Sequence, residues 1–598
     1  MINQLHYAPN GTLKITIFLK SVNRYYFNID RFSVIDYTYT MNGLLILVIS
    51  IVFLSLAYLL YGRFLARIWK IDPNRKTPAH EYEDGKEYVP TSPAVVFGYE
   101  FASIAGAGPI NGPIIAAMFG WVPALLWLLF GSAFFGAVHD FAALYTSVKN
   151  KGKTIGYVIE QYVGKTGKTI FLIFIWLFSV LIAGAFADIV AGTFAGFDIS
   201  GTKIETNASV ASTSGFFIVA AIGLGFLIRK RKASDLASAI VAVDLLIVCI
   251  VLGIFFPVFW DKSIWLYLIF GYILVSSVLP IWLLGQPRNY LSSFLLIAMI
   301  IAAFFGVVLT NPEITLPAFT SFKVNGNYLF PALFITIACG AISGFHSLVA
   351  TGAASKQISS EKYMLPISYG AMLVETLVAI LALIAVGSIA TGGALTDPPP
   401  VIFAKGVSGF LSKLGLPSRV SFTIVSLAVS SFVLTTLETV GRLGRLSFEE
   451  LFTTEEKEKN FKTVLFRILK SKPSATIFTL GPAFLLAIIG YQNIWALFGT
   501  ANQLLAALTL IACTMFFKKT GRKIIMLLIP TAIMLIVTFT SLVISIGTRS
   551  IQFMQEGADK AVLGSQIGIA LMLFFLGIMV TISCGKKVLE KGIPVPND

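Results

Sequence analysis

Charge is what this chain has least of. Asp, Glu, Lys and Arg make up 13% of its 598 residues, about half the share of an ordinary soluble domain. A soluble protein of this length divides into several cores joined by polar linkers, and no such linkers appear between the apolar segments. The longest polar stretches, near residues 62–93, 387–419 and 441–474, are too short for a catalytic or signalling domain of their own. Cysteine is equally scarce. Cys249, Cys339, Cys513 and Cys584 all lie in or at the ends of apolar stretches, and no CxxC occurs. That argues against a disulfide framework or a zinc site. A phosphate loop is missing too. GKTGKT at residues 164–169 has Gly-Lys-Thr twice, but no glycine stands five residues before either, so the spacing fails.

What is abundant is hydrocarbon. Apolar residues are 56% of the chain, gathered in continuous runs long enough to cross a bilayer core of about 30 Å as helices. In lipid every backbone polar group must be paired internally, and continuous rather than alternating hydrophobicity selects helices over a barrel. The reading is an all-α integral membrane protein with about fifteen transmembrane helices. A shorter run at residues 400–414 reads as a re-entrant or interfacial helix. Residues 41–390 form the expected core with interrupted helices, and residues 391–598 a C-terminal transmembrane region.

Most of the 45 Lys and Arg residues fall in alternate loops, at residues 63–86, 149–168, 229–232, 442–472 and 518–523 among others. Such an excess marks the cytoplasmic side. It places the C-terminus there and, with an odd number of spans, the start outside. The net charge of +15 is then an orientation signal whose neighbour is anionic lipid, not nucleic acid. No basic residue is expected inside a span. Residues 1–40 lack the apolar core and cleavage site of a signal peptide. They read as an extension ahead of a functional start near Met41.

Two segments break the rules of a membrane helix. GYEFASIAGAGPINGP, residues 98–113, packs Gly106, Gly108, Pro109, Gly112 and Pro113 into the middle of a span. Proline removes a backbone donor and clashes with the preceding turn, and glycine lets the chain leave helical geometry. Unwound backbone at this depth is tolerated only where it is buried or lines a cavity. Interrupted spans build the binding sites of secondary transporters, because freed amides and carbonyls hold substrate and ions. The plainer alternative is a helix packed closely through small residues. The second segment is CGAISGFHSLVATGAASKQ, residues 339–357, dense in glycine and polar groups. Two interrupted segments far apart in sequence point to an internal repeat. The expected substrate-binding residues are Glu100, Ser103, Gly106, Gly108, Pro109 and Asn111 in the first segment, and Ser343, Gly344, His346, Ser347 and Gln357 in the second.

Ionisable groups within the spans are Glu100, His139, Asp140, Asp188, Asp244, His346, Glu375 and Glu438. Each costs roughly 2.5–3.5 kcal/mol at the bilayer centre, which makes each a functional candidate. The expected ion-coupling residues are His139, Asp140, Asp188, Glu375 and Glu438, with a proton as the simplest ion and sodium as the alternative. Asp188 shares a helix face with Gly184 and Gly192, so it faces a packed helix. His139 and Asp140 are adjacent and point about 100° apart, so no pairing between them is implied. Both could instead cap the cytoplasmic end of their span. Glu438 and Arg442 are spaced as an i, i+4 pair. Asn502 and Gln503 read as amides that bond across helices. No cofactor or metal set is expected.

The chain resembles the carbon-starvation protein family. The resemblance rests on IAGAGPINGPIIAA at residues 104–117, GAVHDF at 136–141, SGFHSLVATGAASKQ at 343–357, TTLETVGRLGR at 435–445 and LFGTANQLLAALTL at 497–510. It implies uptake of small peptides or pyruvate across the cytoplasmic membrane. It also implies an inverted-repeat core of the amino acid–polyamine–organocation kind. Tyr99 and Glu100 stand where the family often has two histidines, and His139 stands where glutamine is expected. A passive channel or a membrane-embedded nutrient sensor is the alternative.

Overall fold

The computed structural model describes residues 41–85, 87–198, 200–231, 235–279, 284–390, 397–452 and 471–589. The expected extension over residues 1–40 lies outside the described residues, as do parts of the basic loops. The described residues form one compact unit.

Among the described residues, eleven helices are long and apolar enough to cross a membrane, and one further pair is bent by 46° at a short break. Two shorter apolar helices, Ile240–Phe255 and Lys262–Val278, fall below that length. The count is lower than the apolar runs implied because a broken run yields pieces too short to span alone. Residues 400–414 form the short helix Pro399–Lys413, with Ile402, Phe403, Val407 and Phe410 buried.

Burial sorts the helices into a core and a rim. The most apolar stretch is 94% buried in Tyr491–Lys519, 89% in Lys165–Phe194 and 83% in Ser418–Leu451, but only 33% in Gly43–Ile68 and Lys560–Lys586. On the rim, Leu45, Val48, Val52, Phe575 and Ile582 point outward. So much exposed aliphatic surface suits a lipid solvent and not water.

The centre is built by α1 (Pro93–Ile104) and α2 (Gly108–Phe119), the bent pair, with α3 (Trp121–Lys149) and α4 (Lys165–Phe194). Beside them stand α5 (Lys262–Val278) and α6 (Gly285–Thr310). The second broken segment supplies α7 (Leu329–Thr336), α8 (Ala338–Ala341) and α9 (Gly344–Gly352). The long helices α10 (Glu361–Ile389), α11 (Ser418–Leu451) and α12 (Tyr491–Lys519) complete it, and the less buried α13 (Ile525–Phe553) packs against α12. α2 packs on α8 and α10, α9 lies between α3 and α12, and α4 runs along α11.

The loop before α7 carries a small hairpin, Lys323–Val324 paired with Asn327–Tyr328. Its turn residues Asn325 and Gly326 have φ of 49° and 80°. That is the left-handed pair a two-residue hairpin turn requires, and Asn-Gly is the sequence that adopts it most readily.

Candidate functional site

The first segment breaks just ahead of Gly108 and Pro109 while Gly112 and Pro113 stay helical, the second breaks just ahead of Gly344, and the two breaks lie against each other. α1 ends at Ile104, and Ala105 turns away with φ −71° and ψ 57°. α2 then starts at Gly108 with Pro109 in its first turn, where a missing N–H costs nothing. In the second segment Ile342 and Ser343 are extended, with φ −157° and −130°, between α8 and α9. Among the described residues the N–H groups of Ala107 and Ser343 and the carbonyls of Ala105 and Ile342 have no backbone partner.

Glycine makes the approach possible. A side chain at Gly108 would overlap Cβ and Sγ of Cys339. One at Gly112 would begin 2.6 Å from the Thr336 carbonyl oxygen, and one at Gly344 would begin 2.5 Å from the Asn502 carbonyl oxygen. The small-residue packing and the helix break are therefore both present. Between the breaks lies a cavity of about 20 Å³, lined by Ile104, Gly106, Gly108, Cys339, Ser343 and Asn502 among others. That is room for about one water molecule.

Beside the breaks sits a buried acid–imidazole centre. α3 passes through a stretch of π geometry at Ser132–Gly136, which adds a residue to the turn just before His139 and Asp140. Both side chains are buried, and His139 Nδ1 lies 2.7 Å from Asp140 Oδ1. The other carboxylate oxygen, Oδ2, lies 2.9 Å from Nδ1 of His346 on α9. His346 Nε2 is 3.2 Å from Glu375 Oε2 on α10, a charge contact whose alignment falls short of a hydrogen bond. Glu100 on α1 is buried within electrostatic reach of Asp140 and His346, and its Oε2 has no hydrogen-bond partner.

Proton counting gives this arrangement its chemistry. A neutral imidazole has a single N–H. His346 stands between two carboxyl groups: one N–H serves the hydrogen bond to Asp140, and an imidazolium would turn a second N–H towards Glu375. Three acids and two imidazoles are thus buried close together, with the two imidazoles on either side of Asp140.

Some expected residues fall elsewhere. Ser103 Oγ donates to the Tyr99 carbonyl of its own helix at 2.7 Å. Ser347 Oγ donates to the Gly344 carbonyl at 2.7 Å and lies 3.0 Å from Thr509 Oγ1. Asn111 is fully buried, with neither amide atom hydrogen-bonded. Gln357 lies beyond the end of α9, where its carbonyl accepts from the Thr91 N–H at 3.0 Å. Asp244 is exposed on its helix.

Four readings of the acids need correction. Asp188 and Glu438 do have basic partners, which neighbouring helix ends supply. Lys262, the first residue of α5, places Nζ 2.6 Å from Asp188 Oδ1, while the Tyr491 N–H donates to Oδ2 at 2.9 Å. As its helix face implied, Asp188 does meet a packed neighbour. Arg288, in the first turn of α6 and 1% exposed, places Nη1 2.7 Å from Glu438 Oε1. Tyr272 donates its hydroxyl to the same carboxylate. Glu438 is thus paired across helices and not with Arg442, whose guanidinium donates to the carbonyls of Leu279 and Ser276. His139 and Asp140 pair despite their angular separation, and they lie within α3 instead of capping its end.

The sequence reading assigned no site role to Cys339 and Thr436, which both line the cavity, or to Arg288. Cys339 and Thr436 stood inside quoted motifs but carry no charge to mark them. Asn502 bonds across helices as expected: Nδ2 donates to Ser343 Oγ at 3.0 Å, and Oδ1 accepts the Phe345 N–H at 3.1 Å. It also lines the cavity. Gln503 Nε2 donates to the Phe334 carbonyl at 2.6 Å.

Comparison with known proteins agrees with the motifs. The family model described as "Carbon starvation protein CstA" matches residues 42–398 and 391–541. A peptide transporter CstA of Bacillus subtilis (strain 168) is 32% identical over 92% of this chain and 97% of its own length. That of Escherichia coli (strain K12) is 32% identical over 84% of this chain and 81% of its own. The pyruvate/proton symporter BtsT of E. coli (strain K12) is 36% identical over 60% of this chain and 51% of its own.

Proposed function

Because this chain belongs to the carbon starvation protein CstA family, we propose that it is a secondary active transporter that imports small peptides or pyruvate-like carboxylates with protons when carbon is limiting. The observation that carries this reading is His346 held between Asp140 and Glu375 beside two helix breaks. The free N–H groups at Ala107 and Ser343 suit a substrate carboxylate, and the acid–imidazole centre suits the coupling proton.

The cavity at the breaks is too small for either substrate, so one half of the bundle must move against the other to load it. An inverted repeat with a broken helix in each half supplies that motion by rocking. If each broken segment and short helix is one crossing, the chain spans the membrane about fifteen times. The basic loops and the C-terminus then face the cytoplasm.

Purified protein in liposomes tests the reading. Labelled dialanine and labelled pyruvate are supplied under imposed proton and sodium gradients in turn. Accumulation above the outside concentration with an inward proton gradient is expected. Equilibration without accumulation of either solute would make the protein a passive pore, and dependence on sodium alone would reassign the coupling ion.

A further inference from the structure

A second, much larger space opens beyond the C-terminal end of α2. It measures about 620 Å³ and lies among the hairpin at Asn325–Tyr328, the start of α12 and the end of α13. α1 and α2 leave their break in opposite directions, and the basic loop precedes α1. The space therefore faces the side away from the basic loops, the external face under the orientation proposed above. Among the described residues two groups of full charge line it, Asp397 and Arg549.

These two charges are in different states. Asp397 is already paired, with Lys405 Nζ 2.6 Å from its Oδ2. Arg549 has no acid within 4.0 Å among the described residues. Its guanidinium is held by neutral acceptors alone. Nε donates to Gln566 Oε1 at 2.5 Å, Nη1 to Ser545 Oγ at 2.6 Å and Nη2 to the Asn493 carbonyl at 3.4 Å.

Gln566 is 3% exposed, and its own Nε2 donates to the Asn493 carbonyl at 2.9 Å. That second bond fixes the amide so that its oxygen faces the arginine. A buried side chain thus orients the cation without neutralising it. A guanidinium carries five N–H donors. Three are taken, which leaves one on each terminal nitrogen, and the charge cannot be shed by deprotonation. An oriented, uncompensated guanidinium with free donors on the wall of a large cavity is a receptor for a carboxylate.

We propose that Arg549 makes this vestibule a carboxylate-binding site, where an incoming peptide or 2-oxo acid docks before it reaches the helix breaks. The assignment rests on the transport reading for its choice of ligand. Gln566 is the positioning residue, and its amide keeps the arginine charge available.

Equilibrium binding of labelled dialanine and labelled pyruvate to the purified full chain tests it, alongside uptake in liposomes. Gln566→Glu keeps the shape but pairs the arginine internally, and Arg549→Gln removes the cation. Each is expected to weaken binding and raise the uptake KM about ten-fold or more, the loss that follows removal of a charge-assisted hydrogen bond. The uptake kcat should change little. Glu375→Gln, which alters only the buried centre, should still bind the ligand while accumulating none. Dialanine amide should compete poorly with wild type and equally with wild type and Arg549→Gln.

Wild-type binding and KM in both vestibule variants would overturn the proposal while leaving transport intact. Failure of wild type to bind either ligand would overturn it as well. Uptake without accumulation, with carboxylate binding still lost in both variants, would instead overturn the transport reading and spare the site.

Discussion

Replacing Glu438 with methionine strips Arg288 of its carboxylate in a place water does not reach. The guanidinium would keep only the Ser431 carbonyl at 3.3 Å and the Tyr272 hydroxyl oxygen at 3.2 Å, and its Nε already lacks an acceptor. It cannot escape by losing its proton. Breaking a buried pair from one side costs about 3–5 kcal/mol, because the remaining charge is uncompensated. Arg288→Met should cost less. The stranded carboxyl can take up a proton and still accept from Tyr272. The double variant Arg288→Met with Glu438→Met leaves no charge behind and should recover most of the loss, since apolar replacement of a buried pair is often neutral. The measurement is reversible unfolding of the purified protein in mixed micelles by titration with sodium dodecyl sulfate, for all four corners of the cycle. The expected order is wild type and double variant together, then Arg288→Met, then Glu438→Met lowest. Equal losses in both single variants, or a double variant as unstable as their sum, would refute the asymmetry and the pairing behind it.

Glu375→Gln should flatten the dependence of uptake on external pH, because the proton can no longer be shared between His346 and that carboxyl; an unchanged profile would remove Glu375 from coupling. Gly108→Leu should abolish uptake while the protein still inserts and purifies, since the new side chain displaces Cys339 and drives α2 away from α8; normal uptake would separate this contact from the transport path. Asp188→Asn should leave the pH profile of uptake unchanged and cost about 1 kcal/mol or less of stability for the lost ion pair, because Lys262 is about half exposed and screened; a flattened profile would bring Asp188 back into coupling.

Much of this protein is legible one stretch at a time. A run of about twenty apolar residues must be a helix in lipid wherever it sits, and GAGPINGP favours a break in a helix through its glycines and prolines, although Gly112 and Pro113 remain helical. The breaks at residues 105–107 and 342–343 fall inside the two segments that glycine, proline and polar density single out, but close packing through small residues fits the same composition, and the structure shows both. Pairing is different. His346 meets Asp140 across 206 positions of chain and Arg288 meets Glu438 across 150. A local reading gave Glu438 the nearer Arg442 and gave His139 and Asp140 no reason to touch. Which charge faces which is settled when helices pack, because burial removes water as the competing partner and leaves each group only the neighbours that tertiary geometry brings within about 3 Å.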